Sequence, residues 1–263
     1  MKDYQGFKNN GNWYKGNLHS HTTVSDGKLT PEQSVEVYKE HGYNFLALSE
    51  HDIYTDYRKQ YNTDNFIMIP AIEASAILYQ EEGSSKRLEI HHLHGILGTS
   101  EMQKNAKAPL LTHMEHVPPQ KHYGTWRGRE ISQEIADMLR DRGCVVTYNH
   151  PIWSRVTEEE FIYTEGVQAL EIFNYNTVLE SNTGYDVTYW DRMLRMGKRI
   201  NGFASDDNHN EGLFEDSCGG WICVQAPELT HDAIIQNFLD GNYYSSAGPV
   251  ITDWGIKDGK AWI

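Results

Sequence analysis

The chain has 263 residues and a formal net charge of −14, with 39% hydrophobic and 23% charged residues. That is enough apolar material for one substantial core, and a single α/β barrel fits the length. The acidic balance repels phosphate backbones at long range and argues against non-specific nucleic-acid binding. No stretch approaches eighteen apolar residues, so no membrane-spanning helix is expected. The start of the chain, Met1 to Gly6, carries no apolar leader, and the expected location is the cytoplasm. Cys144, Cys218 and Cys223 form no C-x-x-C pair, which indicates neither a disulfide framework nor a zinc knuckle.

In chain order, Thr30-Pro31-Glu32-Gln33 reads as a helix start: Thr30 is the cap, Pro31 the first helical residue, and Gln33 able to close a capping box. Gly42 is the matching stop. Phe45 to Leu48, Phe66 to Ile69 and a stretch within Ile90 to Leu97 read as strands. Residues 100–129, with Pro109, Pro118 and Pro119, read as a long excursion over one face, either a lid or a plain surface loop. Glu130 to Arg142 places Ile131, Ile135, Met138 and Leu139 on one helical face, and Gly143 ends it. Strands follow at Cys144 to Tyr148 and Ala169 to Phe173. A helix is expected over Tyr189 to Arg199, then a strand from Ile200 to Ala204. Thr230 caps a helix to about Asp240, and Gly220 to Val224 and Tyr243 to Ser246 read as closing strands. This alternation indicates α/β architecture, without a linker that would divide residues 1–263 into separate domains.

The unusual entry in the composition is thirteen histidines. Histidine is the commonest metal ligand, and position decides what the thirteen mean. Leu18-His19-Ser20-His21 puts two imidazoles on one side of a strand, because side chains alternate with period two. Asp26 follows closely. Similar residues sit within or at the ends of later strands: Glu50-His51-Asp52, Ile72-Glu73, His91-His92-Leu93-His94, Asn149-His150, Phe173-Asn174, and Asp206-Asp207-Asn208-His209. Each motif alone is weak. Together, His19, His21, Asp26, His51, Glu73, His92, His150, Asp207 and His209 exceed the four or so protein donors one zinc-like ion takes. They suit two or three divalent cations sharing a carboxylate. Mixed imidazole and carboxylate donors suit zinc, manganese and iron alike.

These residues resemble the polymerase and histidinol phosphatase (PHP) family. Asn17 to Gly27 resembles its first motif, Ser49-Glu50-His51-Asp52 its second, and Ile72-Glu73-Ala74-Ser75 the motif of the bridging glutamate. Asn149-His150-Pro151 and Asp207-Asn208-His209 resemble the last two. The resemblance implies a distorted (β/α)7 barrel with the metals at the C-terminal ends of its strands. It also implies a ligand plan. His19, His21, Glu73 and the late aspartate would hold one ion. Glu73, His92 and His150 would hold a second, and Asp26, His51 and His209 a third. His94 points the same way as His92 along a strand and remains the alternative to it. Asp206 remains the alternative to Asp207, since it comes first off the strand.

The expected chemistry is hydrolysis of a small anionic phosphoester by a water that bridging cations deprotonate, with Glu73 and Asp207 as the catalytic carboxylates. Three dications against the carboxylates of Asp26, Glu73 and Asp207 leave a site of about +3 on an acidic protein. Arg155, close after His150, is a candidate phosphate grip, and Asn174 a candidate substrate contact. Glu50 and Asp52 flank His51 and are placed to orient ligands. A metal-dependent carboxyl-ester or carbamate hydrolase is the alternative enzyme. A non-catalytic metal-binding protein is the remaining reading.

Overall fold

Two sheets organise the chain in the computed structural model, which describes residues 3–8, 11–212 and 215–263. The first runs Asn201–Ser205, Val167–Asn174, Cys144–Tyr148, Arg87–Leu97, Ala71–Tyr79, Gln120–Tyr123 across its width. The second runs Tyr243–Ser246, Trp221–Ala226, Asn12–Asn17, Phe45–Leu46, Ile67–Met68. Their ends meet at two seams. At one, His51 and Glu73 form a parallel bridge, and the Glu73 N–H donates to the Glu50 carbonyl at 3.1 Å. At the other, Ser20 and Asn208 form a parallel bridge, and the Asp207 N–H donates to the His19 carbonyl at 2.9 Å. Both seams lie at candidate ligands, so the same backbone bonds that join the sheets also place the site.

One apolar cluster draws Leu18, Ala47, Ile69, Ile96, Val145, Ala169 and Phe203 together, each from a different strand segment, under the helix face of Ile234, Ile235 and Phe238. The Gly128–Asp141 helix covers the other side of the first sheet. Its buried Ile131, Ile135 and Leu139 recur four apart and pack on Ile72, Leu93, Val146 and Leu170. The Pro31–Glu40 helix starts at Thr30 with the expected capping box, and its Val35 and Tyr38 pack on Leu46, Leu48 and Met68. Burying such side chains contributes about 1.5–3 kcal/mol each.

The Arg87–Leu97 strand departs from the parallel pattern: it is antiparallel to both Ala71–Tyr79 and Cys144–Tyr148. Only residues 80–86 join it to the strand before, too few for a parallel crossover. His92 therefore lies in mid-strand. Residues 100–129 are more regular than expected. Ser100–Lys104 is helical, Glu115–His116 pairs with Ile53–Tyr54, and Gln120–Tyr123 forms the edge of the first sheet. The helix expected over Tyr189 to Arg199 spans Val187–Arg195, because Gly197 turns the chain at φ +83°. Among the described residues no helix is long and apolar enough to cross a membrane.

Candidate metal centre

The site begins where the Asn12–Asn17 strand runs out. Asn17 is buried and staples the turn: its amide donates to the His19 carbonyl at 2.8 Å, and its oxygen accepts the Asp206 N–H at 3.1 Å. Alternation then sends His19 and His21 to one side, their Nε2 atoms 3.1 Å apart, while the Ser20 N–H turns to Ser49 Oγ. Asp207 Oδ1 lies 3.0 Å from both Nε2 atoms. Asp207 is at φ +54° and His150 at φ +24°, backbone regions that most side chains avoid and that concentrate at functional sites.

Glu73 is at the centre. Its Oε1 lies 3.1 Å from His19 Nε2, 3.4 Å from His150 Nε2 and 3.5 Å from His92 Nδ1. Its Oε2 lies 2.9 Å from His51 Nδ1 and 3.4 Å from His21 Nε2. Asn149 fixes the carboxylate by donating to Oε1 at 2.6 Å. Further out, Asp26 stands 3.6 Å from His51 Nε2 and 3.4 Å from His209 Nε2. The His21 ring stacks on both His51 and His209, at centroid distances of 4.2 and 4.4 Å. Glu50 holds the loop that presents Asp26, accepting the N–H groups of Thr22 at 3.0 Å and Ser25 at 3.2 Å.

Burial alone would push the His19 imidazole down; the carboxylates of Asp207, Glu73 and Glu171 outweigh it and hold it well above its ordinary value. Burial would likewise push Glu73 up, but the charge of His19 and the hydrogen bonds of His150 and His19 hold it well below the usual carboxylate range. Asp207 is depressed in the same way, chiefly by His19 against burial. His92 goes the other way, held neutral by burial. A divalent cation needs ionised carboxylates and neutral imidazoles, and would take over the role that protonated histidines play here.

The donor set fits such ions. Glu73 Oε2, Asp207 Oδ1, His21 Nδ1 and His51 Nδ1 are buried and make no well-directed hydrogen bond, although several ring nitrogens lie close. Convergence of lone pairs on shared points, rather than pairing, is what a cation requires. Among the described residues, ligand-type atoms lie within 4.8 Å of one another in each of four groups: His19, His21, Glu73, Asp207; His51, Glu73, His92; His21, Asp26, His51, His209; and His19, His150, Glu171. A cavity of about 210 Å³ opens onto them between Arg87, Trp153, Asn176 and Glu180.

No family model matches the sequence, and no curated protein matches it. Solved structures do. The chain is similar to a two-domain protein from Bacteroides vulgatus containing a predicted PHP-like metal-dependent phosphoesterase, with TM-score 0.52 and 14% identity over 94% of this chain and 67% of that one. The fold is PHP-like. Similarity also extends to a proposed metal-dependent phosphoesterase from Bifidobacterium adolescentis, with TM-score 0.46 and 15% identity over 86% of this chain and 96% of that one. A third structure is an amidohydrolase from Chromobacterium violaceum with bound sulfate and no metal, with TM-score 0.49 and 14% identity over 87% and 97%.

Within this PHP-like fold, His19, His21, Asp26, His51, Glu73, His92, His150, Asp207 and His209 converge. Asp206 does not join them. Its carboxylate faces the opposite way, accepting Tyr38 Oη at 2.7 Å and the N–H groups of Cys218, Gly219 and Gly220 at 2.8, 2.8 and 2.7 Å. His94 is buried beside the His19 ring, with Thr147 Oγ1 3.3 Å from its Nδ1, and belongs to none of the four groups. Asn174 reaches carboxylates, donating to Glu171 at 3.0 Å and Asp207 at 2.9 Å. Arg155 lies outside the cavity over the ligands, its guanidinium donating to the Arg87 carbonyl at 2.9 Å.

Two site residues escaped the sequence reading. Glu171 is fully buried, with Oε1 2.8 Å from His19 Nδ1 and Oε2 accepting the His150 N–H at 3.0 Å. Its only signal was a carboxylate inside the apolar run Ala169 to Phe173. Arg87, from a charged stretch with no motif, is the arginine that lines the cavity among the described residues.

Proposed function

We propose that the chain is a metal-dependent phosphoesterase holding two or three divalent ions, zinc, manganese or iron, in the Glu73 cluster. One observation carries the reading: Glu73 turns each of its two oxygens to a different set of histidines, His19, His92 and His150 on one side, His21 and His51 on the other. A carboxylate so placed is suited to bridge two ions. In this reading His19, His21, Glu73 and Asp207 serve one ion, Glu73, His92 and His150 a second, and Asp26, His51 and His209 a third. Ions bound there would lower the pKa of a water toward neutrality and offset charge growing on a phosphoryl group.

The chain's own residues supply the rest. Asn149 holds the Glu73 rotamer, Glu171 orients His19, and Asn174 steadies Asp207. Glu73 and Asp207 remain the carboxylates closest to the reacting centre. We read the two sheets as one distorted (β/α)7-type barrel, supported by the two seams and by the apolar cluster that draws on strands of both sheets.

The test is kcat/KM for matched nitrophenyl phosphate and nitrophenyl acetate, with and without chelator and free phosphate. We expect preference for the phosphate ester, loss on chelation with recovery on adding metal, and competitive inhibition by inorganic phosphate. Preference for the carboxyl ester without phosphate inhibition would move the assignment to a carboxyl-ester or carbamate hydrolase. Metal binding without turnover would leave a non-catalytic metal protein.

A further inference from the structure

Outside the metal cavity lies a second, more open one of about 310 Å³, lined by Arg87, Ile90, Trp153, Arg155 and Glu180. The two share Arg87, Trp153 and Glu180, so they form one continuous groove. The Trp153 indole forms the common wall. Its centroid stands 5.0 Å from the His150 ring and 6.0 Å from the His92 ring, and its N–H donates to Glu180 at 2.7 Å. Arg155 follows the Pro151–Ser154 turn at φ +60°, a left-handed conformation uncommon for a residue with a long side chain. Its guanidinium donates to the Arg87 backbone carbonyl, and both arginines line the outer cavity. Neither guanidinium has a carboxylate within 4 Å among the described residues. Two guanidiniums line this outer cavity together with the Glu180 carboxylate, and Glu89 is close enough to Arg155 to act on it electrostatically.

We propose that Arg87 and Arg155 form an anion subsite next to the metal floor, so that the preferred substrate is a phosphomonoester bearing a second anionic group. The inference rests on the phosphoesterase reading above. With the scissile phosphoryl group over the Glu73 cluster, the linking atoms lie along the Trp153 face and the second group reaches the guanidiniums. The spacer is about as wide as the one indole the two cavities share. Phosphate and carboxylate both match a guanidinium fork.

The experiment is calorimetric binding to metal-loaded protein of three non-hydrolysable probes: propylphosphonate, propane-1,3-bisphosphonate and 4-phosphonobutyrate. The bisphosphonate is expected to bind about tenfold tighter than the monophosphonate, a modest factor because both arginines are solvent-exposed. 4-Phosphonobutyrate shows whether a carboxylate serves equally. Arg155→Gln, outside the metal cavity, should reduce the difference while the Kd of propylphosphonate stays unchanged, and adding Arg87→Gln should abolish the difference. Equal binding of all three probes to the unmodified protein overturns the subsite and leaves the metal reading standing. So does a preference that survives the double substitution. Failure of propylphosphonate itself to bind removes the metal reading and this inference with it.

Discussion

His19 and Glu171 face each other across the floor of the site, Nδ1 to Oε1, at 2.8 Å with both side chains fully buried. A carboxylate there accepts the Nδ1–H hydrogen bond, so the neutral ring that a cation requires would present a bare Nε2 on the opposite side, where His21, Glu73 and Asp207 converge. The second Glu171 oxygen takes the His150 N–H, so one residue sets the ring direction of one candidate ligand and the backbone of another.

Glu171→Gln therefore weakens metal binding while leaving the set of His19, His21, Glu73 and Asp207 intact. The amide keeps the shape, but one of its two ends becomes a donor facing either the His19 ring or the His150 N–H. Loss of such a partner typically lowers metal affinity about 10–100-fold. Competition with a chromophoric chelator measures it; unchanged affinity would make Glu171 a packing residue only.

Glu73→Gln is expected to lose at least one ion per chain and to lower kcat/KM by at least about a hundredfold. The amide removes the charge that five imidazoles surround, and one of its two ends can no longer accept. Glu73→Asp keeps the charge but shortens the reach, so it should retain more metal than the glutamine variant. Elemental analysis beside turnover checks this. Full metal content with normal turnover in Glu73→Gln would reduce Glu73 to a structural residue.

Much of the convergence was legible because strand alternation is a local rule. His19 and His21 share a face by spacing alone, and Glu73 and His150 follow apolar runs that had to be strands. What was not legible depended on long-range geometry. Asp206 and Asp207 are neighbours in a polar run, and only the left-handed turn at Asp207 and the distant amides of Cys218, Gly219 and Gly220 separate their directions. His92 and His94 share a strand face, but His94 lies deeper, against the His19 ring and Thr147. Glu171 looked like an isolated acid, since its partners are 152 residues before it and 21 before it in the chain. The antiparallel run of Arg87–Leu97 follows from the short connection before it, residues 80–86, which leaves no room for a parallel crossover.

Asp186 gives a pH dependence from a residue that is not itself a candidate ligand, although the charges of His150 and Glu171 act on it. It is fully buried; Oδ1 accepts the Ile152 N–H at 3.1 Å, and Oδ2 has no hydrogen-bond partner among the described residues. Burial pushes its carboxyl up to about 7. For an acid raised on folding, the folded state holds the proton more tightly. Stability is then greatest below the unfolded pKa near 4 and falls as pH rises toward 7. Asp186→Asn removes that penalty. Its Tm should match the parent near pH 4 and exceed it increasingly up to pH 8, by on the order of a few kcal/mol in stability. A difference in Tm that is constant across this range would assign the effect to packing instead.

Asp216 is the last test, because it acts on His209 without touching the cavity. It is fully buried and its carboxylate accepts the His209 N–H at 2.8 Å, the Asn210 N–H at 3.1 Å and the Asn176 amide at 2.7 Å. The His209 carbonyl is held in turn by the Lys28 N–H at 2.8 Å, and its Nδ1 lies 2.9 Å from the Asp207 carbonyl. That leaves Nε2 aimed at Asp26. In Asp216→Asn an amide replaces a charged acceptor of three donors, and its own NH₂ opposes one of them. Hydrogen bonds to charged groups contribute about 1.5–3 kcal/mol, so the outermost ion, between Asp26, His51 and His209, should bind roughly 10–100-fold more weakly. The ions nearest Glu73 should stay. Metal titration followed by elemental analysis would show one ion fewer per chain at limiting metal, with the far-ultraviolet circular dichroism unchanged. Equal loss of every ion would instead mean that Asp216 supports the fold as a whole, and no loss would mean that His209 keeps its place without it.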